Sequence, residues 1–361
     1  MGAPVKLFAD RTHYRPRERA QLSDLLRPYW KEGPFSDEQR RQMYGLSEQD
    51  FQISPSLEDA DMAVLPMSWN YYMAQGAVGR AKKFVELARR AGVPVLSYVT
   101  GDEGVRMPDG FEDVFVLRAS GLRSRKTPRQ MALPVFLKDP LEHYPGLEGY
   151  GRPPRANNSP IVGFCGQASL NPFKPVLDLA RTVLRNAGSK LRLRAQEPQP
   201  FYPSALLRSK ALRVLARSPR VETRFILRSR YRAGANGSEA RETTSKEFYT
   251  NITESDYILC VRGGGNFSKR LYETLAMGRI PILVDTDCCL PLDSAISWDK
   301  HIVRVPLQSL ATLPGRVAEH FEGLDDLGLR ELKMRCRALW RDFLSFGGYH
   351  IRMVRLILKR V

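Results

Sequence analysis

Long apolar runs are missing from this sequence. No stretch of the 361 residues approaches the roughly 18 consecutive apolar residues that a membrane-spanning helix requires. The first ten residues contain a short apolar run, but they show neither the h-region nor the small-residue cleavage site of a signal peptide. We therefore expect a cytoplasmic protein.

Cysteine is also scarce. The chain has five cysteines, an odd number, and no two of them form a CxxC pair. No histidine lies at zinc-finger spacing from them. This pattern excludes a disulfide framework and a structural zinc site, and it predicts reduced thiols.

Acidic residues are outnumbered by basic ones. The 39 Asp and Glu residues face 56 Lys and Arg residues, which gives a formal net charge of +17. Such a charge predicts an anionic partner: nucleic acid, an anionic membrane surface or a small phosphorylated substrate. The basic residues are spread along the chain, and no zinc finger, basic zipper or aromatic RNA-binding signature is present. We therefore expect no nucleic-acid partner.

Repeats and low-complexity tracts are absent too, and what the chain does contain is an alternation of strand and helix patterns. Apolar runs predict strands at residues 5–9, 61–66, 93–99, 114–118, 161–165, 190–194, 220–227, 257–261 and 280–284. Helical spacing predicts helices at residues 17–26, 79–91, 175–186, 244–251, 268–277, 329–346 and 349–358. This alternation is typical of α/β domains built on parallel sheets.

A cluster of Pro and Gly interrupts this alternation at residues 139–160 and predicts an interdomain linker. The length also favours two domains. We place an N-terminal domain at 1–155, a C-terminal domain at 156–345 and a C-terminal helix at 346–361. Ligands of such sheets bind at the carboxyl ends of the strands, so we expect the site in a cleft between the domains.

The segment at 257–273 has the order strand, glycine-rich loop, helix. Gly263, Gly264 and Gly265 would let the backbone approach a ligand and adopt positive φ. The N-terminus of the following helix would offer free N–H groups to a phosphate. The loop is neither a Walker A motif nor a dinucleotide GxGxxG motif, which disfavours an ATPase or an NAD enzyme.

Polar side chains flank this loop. Arg262 and Arg270 would bind a diphosphate, Asn266 or Ser268 would cap the helix or bind a phosphate oxygen, and Glu273 would accept both hydroxyls of a ribose. The alternative is a tight turn that binds nothing, with Arg270 and Glu273 as a surface ion pair at helical spacing.

Residues 255–285 resemble the exostosin family of glycosyltransferases. The matching positions are Arg262, Gly263, Ser268, Arg270, Glu273, Gly278, Ile280 and Pro281. A weaker similarity covers residues 58–66 with Trp69, Tyr71 and Tyr72, so that the resemblance spans about residues 59–293.

The resemblance implies a GT-B fold, in which two Rossmann-like domains face each other across a cleft and the C-terminal helix returns to the N-terminal domain. It implies an inverting enzyme whose donor lies on the C-terminal domain. Glu273 would bind the ribose, and Arg262, Ser268 and Arg270 would bind the diphosphate. Arg228 in the basic stretch 228–230 would also reach the phosphates, unless that stretch is a solvated loop.

GT-B enzymes need no divalent metal, because arginines and a helix N-terminus stabilise the leaving diphosphate. We therefore expect no metal and no cofactor besides the nucleotide-sugar co-substrate. Asp285-Thr286-Asp287 matches the Asp-x-Asp pattern of a metal-binding motif. It follows a strand of the donor domain, however, and we assign it no metal role.

The catalytic base should come from the N-terminal domain. Asp102 and Glu103 follow the strand at 93–99 and are our candidates, with Asp10 and His13 after the first strand as the rival pair. Each of these residues could instead be a capping or solvated loop residue.

The resemblance favours a UDP-sugar donor and a glycan or lipid-linked glycan acceptor, as in polysaccharide biosynthesis. The basic end at 352–360 could contact an anionic membrane, but we expect it to pack back on the N-terminal domain. The alternatives are a non-catalytic nucleotide-sugar or carbohydrate-binding protein on the same fold and, more remotely, a nucleic-acid-binding protein.

Overall fold

The computed structural model describes residues 3–30, 35–147, 159–168, 173–199, 202–229, 234 and 237–360, with only the backbone given for 173–178. These residues form two α/β units, each built on one parallel sheet. All five cysteines are unpaired. Within the described ranges, no helix is both long and apolar enough to cross a membrane.

The first sheet has six parallel strands in the order β2-β1-β3-β4-β5-β6. The strands are β1 (Val5–Phe8), β2 (Phe51–Ile53), β3 (Met62–Val64), β4 (Val95–Val99), β5 (Phe115–Arg118) and β6 (Gln130–Ala132). Their apolar residues are almost fully buried, as expected for a parallel sheet covered on both faces.

Three helices accompany this sheet: α1 (Asp37–Tyr44), α2 (Trp69–Ala74) and α3 (Val78–Arg90). The short helix α4 (Pro140–His143) follows in the chain and packs against the second unit. The predicted helix at 79–91 is α3, and it buries Ala81, Phe84, Val85 and Ala88. These four positions share one helical face, which packs on the core.

The second sheet has five parallel strands in the order β11-β10-β9-β7-β8. They are β7 (Ile161–Gln167), β8 (Glu222–Arg228), β9 (Tyr257–Cys260), β10 (Ile280–Asp285) and β11 (Val303–Pro306). The helices are α5 (Phe173–Lys190), α6 (Ser204–Ala216), α7 (Ser238–Thr253), α8 (Lys269–Ala276), α9 (Leu313–Glu322), α10 (Asp326–Leu339) and α11 (Phe346–Leu358).

Both sheets share one strand order. If the strands of each unit are counted from its own start, both sheets contain the order 2-1-3-4-5, and the first sheet adds a sixth strand at its edge. In this doubly wound topology the chain reverses direction between strands 1 and 3, and ligands bind above that switch point. The switch points here lie between β1 and β3 and between β7 and β9.

The carboxyl edges of the two sheets face each other. Ser120, just after β5, accepts a hydrogen bond from the backbone N–H of Asn266, in the loop after β9, at 3.0 Å. Arg123 donates its N–H to the carbonyl of Asp287, after β10, at 2.8 Å. The predicted GT-B arrangement of two Rossmann-like domains across a cleft is therefore confirmed. The predicted boundary at 155/156, within the linker, lies outside the described residues.

The C-terminal helix returns to the first domain, as expected. In α11 the Tyr349 hydroxyl donates to the carbonyl of Ala132, at the end of β6, at 2.8 Å. Gly347 lies so close to the backbone of Gly45 that a Cβ there would collide with it. The apolar face of α11 is therefore used for packing within the protein.

Several predicted elements are wrong in detail. Residues 190–194 are not a strand, because α5 continues to Lys190 and Arg192 then takes the left-handed conformation at φ 57°. Residues 17–26 form two short 3-10 helices, Pro16–Gln21 and Asp24–Leu26, instead of an α-helix. The helix predicted at 329–346 breaks at Ser345, whose extended backbone caps α11. The sequence patterns also missed α1, α2, α4, α6 and the edge strands β2, β6 and β11.

Candidate functional site

The glycine-rich loop lies between β9 and α8, beside the switch point of the second sheet. The strand β9 is buried along its length and pairs with both β7 and β10. Ser268 begins α8 with an extended backbone, and its side chain forms no cap hydrogen bond. The Ser268 hydroxyl thus does not cap the first N–H groups of α8. That an anion binds at this helix N-terminus stays a prediction.

Arg262 is a buried cation at the start of this loop. It is 6% exposed, and its Nε and Nη1 atoms have no hydrogen-bond partner among the described residues. Its Nη2 reaches only the carbonyl of Gly264, at 3.5 Å. Burial lowers the pKa of Arg262 to about 10, so the side chain still carries its charge at neutral pH. An anion bound here would supply the missing partners.

Arg270 lies on the first turn of α8 and points back toward β7. Its Nη2 donates to the carbonyl of Cys165 at 2.8 Å, and its guanidinium stacks on the ring of Phe164 at 4.2 Å. Its Nε has no partner in the described part of the chain, and burial lowers its pKa. The predicted surface ion pair with Glu273 is not formed, since Glu273 pairs instead with Lys269 at 3.0 Å.

Arg208 is a third arginine with a hydrogen-bond donor that has no partner among the described residues, and no pattern in the sequence indicated it. It comes from α6, and its Nη1 donates to the carbonyl of Gln167, at the end of β7, at 2.6 Å. Its Nε has no partner among the described residues. Burial, with a smaller contribution from Arg270, lowers the pKa of Arg208 to about 10. Arg208 and Arg270 therefore lie close enough to repel each other, and neither contacts a carboxylate within the described residues.

Gly166 makes room for this cluster. Its φ of 156° lies in a region that favours glycine, and a Cβ there would approach Nη2 of Arg270 to 2.7 Å. Nothing in the local sequence marks Gly166, because it lies at the end of an ordinary apolar strand. We call Arg208, Arg262 and Arg270 the arginine cluster.

Arg228 ends β8 and lies at the edge of the cluster. Its Nη2 donates to the carbonyl of Thr244 at 3.0 Å and forms an ion pair with Glu247. Its Nε lacks a partner in the described chain. Arg230, which the sequence analysis grouped with it, lies outside the described residues.

Glu273 follows the arginines one turn along α8. It is 8% exposed, and among the described residues its ion pair is with Lys269, through the Oε1 atom. Lys269 is half exposed. The carboxylate therefore retains acceptor capacity close to Arg270, whose charge it influences.

The three glycines of the loop have different surroundings. Gly263 has open space where a Cβ would project, whereas a Cβ on Gly264 would lie 2.9 Å from Oδ2 of Asp102, and one on Gly265 would collide with the carbonyl oxygen of Asp102. None of the three adopts positive φ, contrary to our expectation. Gly265 is thus required by the close approach of the backbone of the N-terminal domain, whereas at Gly264 the exposed Asp102 side chain could move aside.

Asn266 joins the two domains. Its Nδ2 donates to the carbonyls of Gly121 at 2.9 Å and of Thr286 and Asp287 at 3.1 Å each, and its Oδ1 accepts from the Thr286 hydroxyl at 2.7 Å. These contacts occupy both ends of the side-chain amide. In this structure Asn266 therefore holds the loop against the N-terminal domain and offers no side-chain hydrogen to a phosphate.

Asp102 and Glu103 differ in their surroundings. Asp102 is exposed at the cleft and lies against the glycine-rich loop. Glu103 is half-buried between Arg185 at 2.9 Å and Arg194 at 3.5 Å. Of the two predicted bases, Asp102 has the carboxylate that is free to meet a substrate beside the arginine cluster.

The rival pair, Asp10 and His13, lies after β1. His13 is buried, with its Nδ1 2.7 Å from the Tyr72 hydroxyl and its Nε2 3.6 Å from Asp10. Burial lowers the pKa of His13, with Arg80 acting in the same direction. Asp10 also accepts the backbone N–H of Thr12 at 2.9 Å. Nδ1 of His13 thus has a hydrogen-bond partner, whereas Nε2 lies beyond hydrogen-bond distance from Asp10.

Asp285 and Asp287 hold the two domains together. Asp285 bonds to Arg123 at 3.1 Å and Arg304 at 3.2 Å, and Asp287 accepts the N–H of Ser124 at 3.1 Å. Burial alone would raise the pKa of Asp285, but Arg123 and the hydrogen bond from Arg304 hold it below its usual range.

A cavity of about 410 Å³ opens in the cleft beside Asn266. Both domains line it, and its charged residues are Arg106, Arg118, Arg125, Lys190 and Glu197. Arg118 is 6% exposed and forms a two-point ion pair with Glu197, one contact being 2.8 Å. The remaining three cations give the cavity a positive potential.

Comparison with known proteins gives limited information. No protein-family model and no curated protein sequence matches this chain. An α1,3-fucosyltransferase structure is 13% identical over 99% of this chain and 91% of its own, with a TM-score of 0.34. The calicheamicin glycosyltransferase CalG4 is 14% identical over 100% and 99%, with a TM-score of 0.29. An S. aureus MnaA structure with UDP is 10% identical over 92% and 94%, with a TM-score of 0.23. The fold assignment rests on the strand orders rather than on these likenesses.

Proposed function

We propose that this chain is a metal-independent, inverting glycosyltransferase that takes its sugar from a nucleoside diphosphate donor, most simply a UDP-sugar. The arginine cluster carries the proposal. Arg262 is buried and Arg208 and Arg270 are partly buried, and no ion pair to a carboxylate involves any of the three among the described residues. Arg208 and Arg270 donate to carbonyls at the end of β7, Arg262 follows β9, and Arg270 lies in the first turn of α8. Burying unpaired cations costs stability, and a diphosphate is the ligand that would offset the cost.

The donor would lie with its diphosphate among Arg262, Arg270 and Arg208. The N–H groups of α8 and the Ser268 hydroxyl would contact the same phosphates, and Glu273 would accept the ribose hydroxyls. Arg228, at the edge of the arginine cluster, would contribute a further positive charge. These groups are fixed before the reaction, so they stabilise the charge that develops on the departing diphosphate without reorganising.

Transfer would be a single displacement with Asp102 as the base. The carboxylate removes the proton of the acceptor hydroxyl, and the acceptor oxygen forms a bond to C1 of the sugar. The bond between C1 and the phosphate oxygen breaks, and the nucleoside diphosphate leaves with that electron pair. Attack opposite the leaving group inverts the anomeric configuration. The position of Asp102 against Gly264 supports this role.

The acceptor would be a glycan or a lipid-linked glycan that occupies the cleft cavity. Arg106, Arg125 and Lys190 line that cavity, and no ion pair involves them among the described residues. This favours an acceptor with an anionic group next to its sugar, such as the phosphate of a lipid-linked glycan.

A thermal-shift screen with a panel of nucleotide sugars, run in the presence of EDTA, tests the donor site. One donor should stabilise the protein by roughly 3 kcal/mol at a concentration of about 100 Kd. Glu273→Ala should abolish that shift. Lys269→Ala is the matched control, because it removes the partner of Glu273 and leaves the carboxylate. Absence of a shift with every nucleotide sugar and nucleoside diphosphate would contradict the proposal.

Product analysis separates an enzyme from a binding protein on the same fold. With the donor identified, release of nucleoside diphosphate and formation of a glycosylated acceptor are followed by mass spectrometry. Donor binding without transfer or hydrolysis on any acceptor tested would favour the non-catalytic alternative.

A further inference from the structure

Residues 101–106, which we call the Asp102 loop, lie between two segments of the C-terminal domain. On one side Asp102 packs against the glycine-rich loop. On the other side lie residues 194–199, which follow α5 and which we call the anchor segment. The N-terminal domain thus supplies the proposed base, while the C-terminal domain contacts its loop on both sides.

Backbone hydrogen bonds pair the Asp102 loop with the anchor segment. The N–H of Arg106 donates to the carbonyl of Ala195 at 2.9 Å, and the N–H of Glu197 donates to the carbonyl of Gly104 at 3.4 Å. The two stretches run antiparallel, as neighbouring strands of a small sheet do. Because they come from different domains, the C-terminal domain sets the position of the loop.

Glu103 adds side-chain contacts to this backbone pairing. Its carboxylate lies between Arg185, at 2.9 Å, and Arg194, at 3.5 Å. The side-chain amide of Gln199 donates to the backbone carbonyl of Glu103 at 2.7 Å. Gln199 is itself fixed, because the side chain of Asn186 in α5 exchanges two hydrogen bonds of 2.8 Å with its backbone. Three contacts therefore join the neighbour of the proposed base to α5 and the anchor segment.

The Asp102 loop turns at two glycines. Gly101 and Gly104 have φ of 83° and 72°, in the left-handed region that favours glycine. Because glycine is conformationally permissive, the loop does not fix the direction of the Asp102 carboxylate by itself, and Asp102 is exposed. The contacts of Glu103, together with the backbone pairing, therefore hold the base in place.

We propose that Glu103 is a positioning residue: through Arg185 and Arg194 it holds the Asp102 loop against the C-terminal domain and so places the base at the donor site. This inference rests on the proposed function. It gives different roles to the two carboxylates that the sequence offered as alternative bases. Two cations engage Glu103, which leaves Asp102 for the acceptor proton. Displacement of a catalytic group by about 1 Å can lower a rate ~100-fold, so these contacts bear on kcat.

Steady-state kinetics of Glu103→Gln, with the donor identified by thermal shift, tests this role. Glutamine keeps the size of the side chain and removes the charge that pairs with both arginines. We expect kcat to fall ~10-fold, while the donor Kd measured by isothermal titration stays unchanged. Glu103→Asp keeps the charge and should restore most of kcat. The double variant R185Q/R194Q should lower kcat as Glu103→Gln does, and combining all three changes should cause no further loss, because they remove one interaction.

The matched control is Asp113→Asn. Asp113 precedes β5 at the edge of the first sheet opposite the cleft, and it pairs with Arg89 through two contacts, one of 2.8 Å. Loss of this pair should leave kcat unchanged. An equal loss of kcat in the control would indicate a general effect on stability and overturn the positioning role.

Two outcomes separate this role from the proposed function. If the parent chain transferred sugar and Glu103→Gln kept the parent kcat, the positioning role would be wrong and the proposed function would stand. The role would also be wrong if Glu103→Gln abolished the fall of kcat at low pH that a carboxylate base produces, since Glu103 would then be the base. If the parent chain transferred no sugar, the proposed function would fail, and the role of Glu103 with it.

Discussion

Replacing Arg262 with methionine should separate its effect on stability from its effect on ligand binding. Arg262 is 6% exposed, and burial lowers its pKa from the ordinary value of arginine to about 10. That shift corresponds to a destabilisation of the folded cation of about 3 kcal/mol. Because the pKa is lowered, the penalty is fully present at every pH below about 10. It disappears only as the pH rises past the ordinary pKa of arginine in the unfolded chain.

Methionine has a similar reach and carries no charge. We therefore expect Arg262→Met to leave the ligand-free protein as stable as before or to raise its free energy of unfolding by ~1–3 kcal/mol. Loss of a charge-assisted hydrogen bond should cost the donor ~1.5–3 kcal/mol, which corresponds to a Kd that is roughly 10–150 times higher. Stability and affinity should thus change in opposite directions.

Urea unfolding measures the stability, and isothermal titration with the donor found by thermal shift measures the affinity. The matched control is Arg279→Met. Arg279 is equally buried, at 2% exposed, but its guanidinium donates to the carbonyls of Met277, Gly278 and Thr253. Its loss leaves those carbonyls unsatisfied and should destabilise the protein. If Arg262→Met destabilised the protein as the control does and left the donor Kd unchanged, Arg262 would be a structural residue.

Three further predictions concern the domain interface. Asp102→Asn should preserve donor binding and lower kcat at least ~100-fold in a transfer assay, and an unchanged kcat would exclude Asp102 as the base. Gly265→Ala should lower the melting temperature because its Cβ collides with the N-terminal domain, whereas Gly263→Ala, which meets open space, should not; equal effects would contradict this account of the loop. Asp285→Asn should lower the melting temperature at pH 7, where the carboxylate, whose pKa is lowered, stabilises the fold. The difference from the parent chain should begin to shrink as the pH falls below about 4, the ordinary pKa of Asp, and should vanish once the pH is below the lowered pKa of Asp285. A difference that did not change with pH over this range would refute the electrostatic origin.

The two-domain fold could be predicted because its signals are local. Buried parallel strands are near-continuous apolar runs, and α3 shows a clean apolar stripe, so the sequence alone locates them. The wrong predictions arise where a sequence pattern typical of one kind of element occurs in a segment that folds differently. Residues 190–194 alternate between leucine and a basic residue, which predicts a half-buried strand. The structure instead leaves Leu191 and Leu193 exposed after α5.

The site was predictable to the extent that its residues lie in one segment. Arg262, Ser268, Arg270 and Glu273 follow one another along the chain, and the structure places them around one helix N-terminus. Arg208 is remote in sequence and lies in a helix with no distinguishing pattern, so only the packing of α6 against β7 and β8 brings it to the cluster. Asn266 shows the reverse case. Its position in the loop suggested a phosphate ligand, but its amide binds the other domain.

The partners of the buried arginines distinguish the binding site from the scaffold. Arg118 pairs with Glu197, and Arg337 pairs with Asp139. These arginines connect segments distant in sequence, and each has a carboxylate that neutralises it. The arginine cluster has the same residue type at similar burial, yet no carboxylate among the described residues pairs with it. Arg279 is also buried, but the backbone carbonyls of Met277, Gly278 and Thr253 accept from its guanidinium. Polar atoms of Arg208, Arg262 and Arg270, by contrast, have no hydrogen-bond partner among the described residues. This difference supports our proposal that an anion, the donor diphosphate, binds at this edge of the second sheet.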